Sequence, residues 1–195
     1  FGNENTLSPE LGAASGPNQN ASLASTDPAV QIGMPMGYDN GGITAVAKAA
    51  GLASFYDYSQ IDRTRMMKVT APLYLVTHAQ NQLLLAEAAS KGWVSGSAAT
   101  YYKNGIEAHM LQMADYDVKS TVAANDIATY ITANPLGANA LQDIGTQYWI
   151  ASFLNGPEAF ANFRRTGFPV LTPNPFPGKD ISGQFINRLT YPNSE

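Results

Sequence analysis

Two histidines are the first residues whose spacing suggests chemistry. His78 lies 16 residues before Val94, and His109 lies 15 residues after it. If the chain turns back near Val94, antiparallel helices would bring both imidazoles to one level, where they could begin a zinc site. No third ligand is evident nearby, and the chain has no HExxH pattern and no cysteine. We therefore expect the histidines to pack between helices, and we expect no metal and no cofactor.

Two glutamates are the candidates for acid–base chemistry. Hydrolysis of a glycosidic bond needs two carboxyl groups at a defined separation, and Glu87 and Glu107 are the carboxylates of the two predicted arms. Both lie within a predicted packed hairpin rather than on loops that border a cleft. We predict that Glu87 is a structural hydrogen-bond or ion-pair partner, with Arg164 or Arg165 as its counterpart. Because the GxGxxG, P-loop and GxSxG motifs are also absent from the sequence, we predict that the protein is not an enzyme.

A turn-rich loop at 33–42 combines an aromatic ring with polar groups. Its sequence, GMPMGYDNGG, places Tyr38, Asp39 and Asn40 between glycines and prolines. A tyrosine ring can stack on a sugar while an amide and a carboxylate bind the sugar hydroxyls. The plainer interpretation is an Asn-Gly turn whose tyrosine covers the surface. On the ligand-binding interpretation, Tyr38, Asp39 and Asn40 form the candidate site.

The stretch 73–116 is predicted to be a helical hairpin around which the chain is organised. In both arms, apolar or small residues recur every three or four positions, as on one face of a helix. They are Val76, Ala79, Leu83, Ala86 and Ser90 in the first arm, and Ala98, Tyr102, Ile106, Met110 and Met113 in the second. We predict antiparallel helices near 73–91 and 97–115, with Pro72 in the first turn. Leu84 and Leu85 widen the first stripe, which predicts that this arm is covered on more than one side.

Local signals define the turn of this hairpin. Lys91-Gly92-Trp93 supplies a cation, a glycine that can turn left-handed, and an apolar residue that we expect to fold back on the hairpin. Ser95 or Ser97 can cap the second helix. Gly105 lies in mid-helix at a cost of about 1 kcal/mol relative to alanine, so we predict that a neighbouring helix approaches it closely. Pairing through small residues is typical of a tetratricopeptide-type hairpin.

Further helices are predicted on both sides of the hairpin. They cover 45–50, 122–131 and about 140–154, and a last one begins after Asn155 and ends at Gly167. Because 140–154 is apolar nearly all round, we expect Trp149 to be buried, and we expect Phe160 and Phe163 to point inward. A proline-rich tail follows Phe168, with a short edge strand at 185–189.

Composition limits the functional classes. Apolar residues make up 45% of the 195 residues and charged residues 13%, which favours a folded core over disorder. A net charge of −4 gives no electrostatic basis for binding nucleic acid. No apolar run approaches the roughly 20 residues of a membrane-spanning helix.

Three blocks of sequence carry a family resemblance. They read LVTHAQNQLLLAEAASKGW with AATYYKNGIEA, then TQYWIASFLNGPEAFANFRRTGFPVL, and finally FINRLTYPNSE. Between Met34 and Glu195 they resemble the SusD/RagB-like family of nutrient-binding outer-membrane lipoproteins. Gln80 stands where such proteins often carry glutamate, and Phe160 where tryptophan is common. Residues 1–42 are rich in Gly, Pro, Ser and Asn, which predicts a loop-rich segment. The resemblance implies a mainly α fold, with the C-terminal part of a single SusD-like helical domain at 43–195.

The resemblance also implies a function. It implies a surface-exposed lipoprotein of the outer membrane, with a lipid anchor outside this segment, that binds an oligosaccharide or a peptide. Such a protein delivers its ligand to a SusC-like TonB-dependent transporter. The alternative is a helical-repeat scaffold for protein–protein interaction without small-ligand binding. A scaffold should show several regular repeats, whereas here one hairpin is followed by long loops, so we favour the binding protein.

Overall fold

The part of the chain that the structure describes is helical. The computed structural model describes Ala29 and residues 31–59, 61, 63–176, 178–179, 183 and 185–186. Among these residues, the only β pairing outside helices and turns is an isolated parallel bridge between Gly33 and Ser59. The predicted mainly α class is therefore confirmed. The predicted edge strand at 185–189 lies largely outside the described residues.

The chain forms two compact units. One contains the described residues up to Thr70 together with those from Thr172 onward, and the other is Ala71–Leu171. The predicted division into 1–42 and 43–195 stays a prediction.

The first unit contains one longer helix and two short helical segments. They are α1 (Asn40–Ala49), a 3-10 turn (Phe55–Asp57) and α2 (Arg63–Met66). A small apolar core of Ile43, Ala47 and Tyr58 holds this unit together. Helix α1 begins five residues before the predicted start at 45. Asp39, which was predicted to lie in a loop, caps the helix at this earlier position.

The second unit contains the predicted hairpin and three further helices. The helices are α3 (His78–Ser90), α4 (Ala98–Tyr116), α5 (Ala124–Ala133), α6 (Ala140–Ala151) and α7 (Gly156–Thr166). Helix α3 packs along α4 and against α6, which in turn packs on α7. Tyr74, just before α3, donates to Asp115 near the end of α4 at 2.9 Å, so the two arms are antiparallel as predicted. The tetratricopeptide-type assignment of this hairpin stays a prediction.

Helix α3 begins at His78 and not near residue 73. The Thr77 hydroxyl oxygen accepts the N–H of Gln80 at 3.1 Å, and the Gln80 side-chain carbonyl accepts the N–H of Thr77 at 2.9 Å. These reciprocal bonds form a capping box, which fixes the first turn. The Gln80 amide also donates to the hydroxyl of Ser152, just after α6, at 3.4 Å. Pro72 therefore precedes the helix, and its assignment to the first turn was wrong.

The turn of the hairpin follows the predicted signals. Gly92 adopts the left-handed conformation with φ of 72°, and the N–H of Trp93 donates to the Ala88 carbonyl at 2.9 Å, as in a Schellman motif. The Ser97 hydroxyl then accepts the N–H of Thr100 at 3.3 Å and caps α4. The side chain of Trp93, however, does not fold back on the hairpin, because it is 71% exposed.

Gly92→Ala should lower the free energy of unfolding by about 1 kcal/mol, since an L-residue in the left-handed conformation costs about that much. No atom lies within 4 Å of the added Cβ, so conformational strain is the only expected cost. Gly156→Ala is the matched control. Its Cβ is also unobstructed and its φ is not positive, so we expect unchanged or slightly raised stability. Thermal denaturation followed by circular dichroism measures both; equal melting temperatures would contradict this prediction.

Helix α7 was predicted well. The Asn155 side-chain oxygen accepts the N–H of Glu158 at 3.3 Å, and a proline lies in the first turn. Gly167 ends the helix with φ of 76°. Each of these signals is local, and therefore visible in the sequence.

Several apolar side chains that were predicted to be buried are exposed. Trp149 is 39% exposed, and Leu84, Leu85 and Phe160 also lie at the surface. Helix α6 buries one side through Ile144, Tyr148 and Ala151, so the expectation that it is buried all round was wrong. Apolar character shows that a side chain can be buried, but not that a neighbouring element covers it.

Candidate functional site

The predicted ligand loop lies at the start of α1. Asp39 is the N-cap of this helix, and its Oδ1 accepts the N–H of Gly42 at 2.6 Å. Tyr38 is half-buried and packs against the core that contains Ile43. Asn40 is the first residue of α1. Tyr38 and Asp39 therefore have structural roles, and the ligand-binding role of all three residues stays a prediction.

A second loop of the same unit approaches this one. Gly37 has φ of 87°, and a Cβ added there would overlap the side-chain amide of Asn174. Asn174 is held in turn, because its Oδ1 accepts the N–H of Phe176 at 2.9 Å and its carbonyl accepts Lys179 Nζ at 3.0 Å. The structure thus places an exposed amide beside the backbone of the loop that carries Tyr38. The sequence reasoning missed Asn174 because no local motif marks a contact between such distant segments.

The two histidines occupy different environments. His78 is exposed at the start of α3, with its Nε2 3.5 Å from the Gln82 amide nitrogen, so the expectation that it packs between helices was wrong. Burial lowers the pKa of His109, which favours its neutral form. Across the residues that the structure describes, no group of three or more His, Cys, Asp or Glu side chains could hold a metal ion.

Glu87 lies between two cations. Its Oε1 is 2.7 Å from Arg165 Nη1 and 2.7 Å from Lys91 Nζ, and its side chain is only 9% exposed. The hydrogen bond from Arg165, assisted by Lys91, lowers the pKa of the Glu87 carboxyl. A carboxylate that is held ionised in this way is unsuited to act as a general acid near neutral pH. The predicted ion pair is confirmed with Arg165 as the partner, while Glu107 lies exposed on α4.

The described side chains offer groups that suit ligand binding better than acid–base catalysis. The buried carboxylate is engaged in ion pairing, whereas aromatic rings and an amide are exposed on loops and at the hairpin tip. Such groups recognise neutral polar ligands through ring stacking and hydrogen bonds.

Comparisons with known proteins assign the family. The SusD-like family, described as starch-binding and associating with the outer membrane, matches residues 22–192. This chain belongs to that family, which confirms the resemblance found in the sequence. No curated protein matches the chain.

Solved structures show the same relationship. A chitin-binding protein is 39% identical to this chain with a TM-score of 0.67. The match covers 72% of this chain and 31% of that protein's chain. A SusD-like protein from Bacteroidetes AC2a is 31% identical with a TM-score of 0.65; the match covers 78% of this chain and 32% of that protein's chain. A SusD homologue from Bacteroides fragilis is 25% identical with a TM-score of 0.64, over 95% and 40%. The chain therefore spans about a third of the length of the first two.

The description of the family names two general properties, starch binding and association with the outer membrane. Among the described helices, none has both the length and the apolar character that crossing a membrane requires.

Proposed function

We propose that this protein binds an oligosaccharide at the cell surface and delivers it to a SusC-like TonB-dependent transporter of the outer membrane. The observation that carries the proposal is the match of residues 22–192 to a family described as starch-binding and associating with the outer membrane. The similarity to a chitin-binding protein favours a glycan over a peptide as the ligand. A surface-exposed lipoprotein with its anchor outside this segment would fit this role.

Calorimetric titration of the purified protein tests the ligand class. Maltoheptaose represents starch, chitohexaose represents chitin, and a tripeptide mixture represents peptide ligands. We expect one of the two glycans to bind and the peptides not to bind. If only the peptides gave heat of binding, the ligand would be a peptide and not a glycan. If none of the three gave heat, the proposal would be overturned.

We further propose that the protein leaves its ligand intact. Glu87 is held ionised by two cations, and a glycosidase needs a protonated carboxyl group as its general acid. Chromatography of the bound glycan after prolonged incubation should recover it uncleaved. Cleavage that is lost in Glu87→Gln would contradict this expectation.

Delivery to a transporter can be tested by co-purification. From native membranes in gentle detergent, we expect the protein to be isolated with a large outer-membrane barrel. A stable interface of this kind buries more than about 1,000 Å². Repeated isolation without a barrel would remove the transporter from the proposal and leave glycan binding untouched.

We propose the loop with Tyr38, Asp39 and Asn40 as one contact of the glycan. Tyr38 is only half-buried, so part of its ring can face a sugar. The capping Asp39 can accept a further hydrogen bond through its second oxygen. The exposed amide of Asn174 lies beside the same loop. A few convergent polar groups around an apolar surface are typical of sites for neutral ligands.

Tyr38→Ala should weaken glycan binding by about 1–3 kcal/mol, the range measured for one aromatic stacking contact on nucleic-acid bases. Because Tyr38 also packs on the core, the same change should lower the melting temperature. Tyr38→Phe is the matched control, since it keeps the ring and should preserve both stability and stacking. Titration with the glycan that the wild type binds measures the effect; wild-type affinity in Tyr38→Ala would leave the loop with a structural role alone.

A further inference from the structure

The tip of the α3–α4 hairpin fixes a tryptophan while leaving it exposed. Trp93 is 71% exposed, although its backbone N–H is bound to the end of α3 through the Ala88 carbonyl at 2.9 Å. An indole in water loses the favourable free energy of burial. A ring that extends into water from a fixed backbone is therefore suited to bind a ligand from solution.

A cation covers one face of this indole. Lys91 Nζ lies 4.7 Å from the ring centroid, within the roughly 6 Å range of a cation–π contact. The same nitrogen is 2.7 Å from Glu87 Oε1, and that oxygen also binds Arg165. Lys91 is thus anchored on a buried carboxylate, and it orients the ring in turn. Since most of Trp93 remains exposed, the face opposite Lys91 is open to a ligand.

The turn that follows Trp93 is preformed. Gly96 has φ of 117°, and a Cβ added there would lie 2.8 Å from the Tyr101 ring. The Tyr101 hydroxyl donates to the Ser95 carbonyl at 3.4 Å, and Ser97 caps α4. The backbone beside the indole is therefore held in one conformation. Preorganisation of this kind reduces the entropy that is lost when a ligand binds.

We propose that Trp93 is a stacking platform for a pyranose ring of a glycan, in the other compact unit from the Tyr38 loop. The inference rests on the proposed function and adds a second contact for the same ligand class. A neutral sugar fits because its C–H face matches a flat indole, while the adjacent Lys91 is already ion-paired with Glu87. A membrane surface fits less well, since binding to lipid scales with buried apolar area. The tip offers little apolar area, because Trp93 and Val94 are followed directly by Ser95, Gly96 and Ser97.

Titration with maltoheptaose and chitohexaose tests the platform. For the glycan that the wild type binds, Trp93→Ala should weaken binding about tenfold, as one stacking contact does. Trp93→Phe should lose less, because it keeps a smaller ring. The melting temperatures of both variants should stay near that of the wild type, since the side chain is exposed. Trp149→Phe, at the other tryptophan of the chain, is the matched control and should bind like the wild type.

Fluorescence gives a second readout. The 195-residue chain contains two tryptophans, so Trp149→Phe leaves Trp93 as its only indole. Maltoheptaose or chitohexaose should change the emission of this variant and protect it from quenching by acrylamide. These changes, together with weaker binding by Trp93→Ala, would support the platform.

The contrary outcomes separate this inference from the proposed function. Wild-type affinity in Trp93→Ala, with equal quenching of Trp93 in the presence and absence of glycan, would overturn the platform alone. No glycan binding by the wild type would overturn both. An emission shift with phosphatidylethanolamine–phosphatidylglycerol vesicles, and none with glycan, would assign the tip to a lipid surface and overturn the platform.

Discussion

Gly105→Leu should lower the free energy of unfolding by about 3 kcal/mol, at the upper end of what overpacking usually costs. A Cβ at position 105 would lie 2.6 Å from Leu83 Cγ and 3.2 Å from the backbone oxygen of Ala79. Leu83 is fully buried, and a backbone oxygen within α3 cannot move without moving the helix. The added side chain would therefore push α3 and α4 apart along their main contact.

Urea denaturation followed by circular dichroism measures this effect. Ala99→Leu is the matched control, because it adds carbon atoms on the exposed side of α4 and should change stability by less than about 0.5 kcal/mol. Gly105→Ala should fall between the two, since its better helix propensity offsets part of the steric cost. Wild-type stability in Gly105→Leu would mean that the two helices separate far more easily than their contact implies.

Glu87→Gln should lower the free energy of unfolding by about 2 kcal/mol at neutral pH, because it removes charge-assisted hydrogen bonds from Arg165 and Lys91. The cost of breaking a fully buried ion pair is larger. Here Arg165 is 45% exposed and Lys91 is 31% exposed, so water can solvate both cations after the carboxylate is lost. Urea denaturation at pH 7 measures the difference.

The acid dependence of this ion pair has a definite sign. Arg165 and Lys91 lower the pKa of folded Glu87 below its ordinary value of 4.5, so the unfolded chain takes up a proton first as pH falls. The contribution of the ion pair to the free energy of unfolding is therefore fully present above about pH 4.5. It is lost as pH falls through the lowered pKa. Between about pH 5 and pH 3 the wild type should lose more stability than Glu87→Gln.

Arg164→Ala is the control for the acid profile. The Arg164 guanidinium lies 5.9 Å from the centre of the Phe160 ring and does not bind Glu87, so this variant should keep the wild-type dependence on pH. If the wild type and Glu87→Gln lost equal stability as pH falls, protonation of Glu87 would not be the cause of the loss.

The hairpin could be predicted because its signals are local. The spacing of Ala79, Leu83 and Ala86 defines a helical face, and Gly92 and Ser97 mark the turn within a few residues of where they act. The start of α3 was missed because Pro72 is also a common helix-start residue, and only the reciprocal bonds of Thr77 and Gln80 decide between the two.

Features that depend on distant parts of the chain could not be predicted. Charge reasoning found that Glu87 needs an arginine, but the choice of Arg165 over Arg164 depends on how α7 is rotated against α3, across 78 residues of sequence. The contact of Asn174 with Gly37 is of the same kind. Trp93 shows a further limit, because a capping motif predicts the backbone of a residue and not the position of its side chain. Lys91 contacts the ring of Trp93, and the rest of the ring stays in solvent.

The neutral amide of Gln80 joins α3 to the end of α6 through hydrogen bonds that acid does not remove. Its carbonyl binds the N–H of Thr77 and its amide binds the hydroxyl of Ser152, and none of these groups titrates. When Glu87 takes up a proton, Arg165 on α7 loses its partner while the joint between α3 and the end of α6 is unchanged. We therefore expect acid to loosen the link between α7 and α3 while the joint between α3 and the end of α6 keeps its hydrogen bonds.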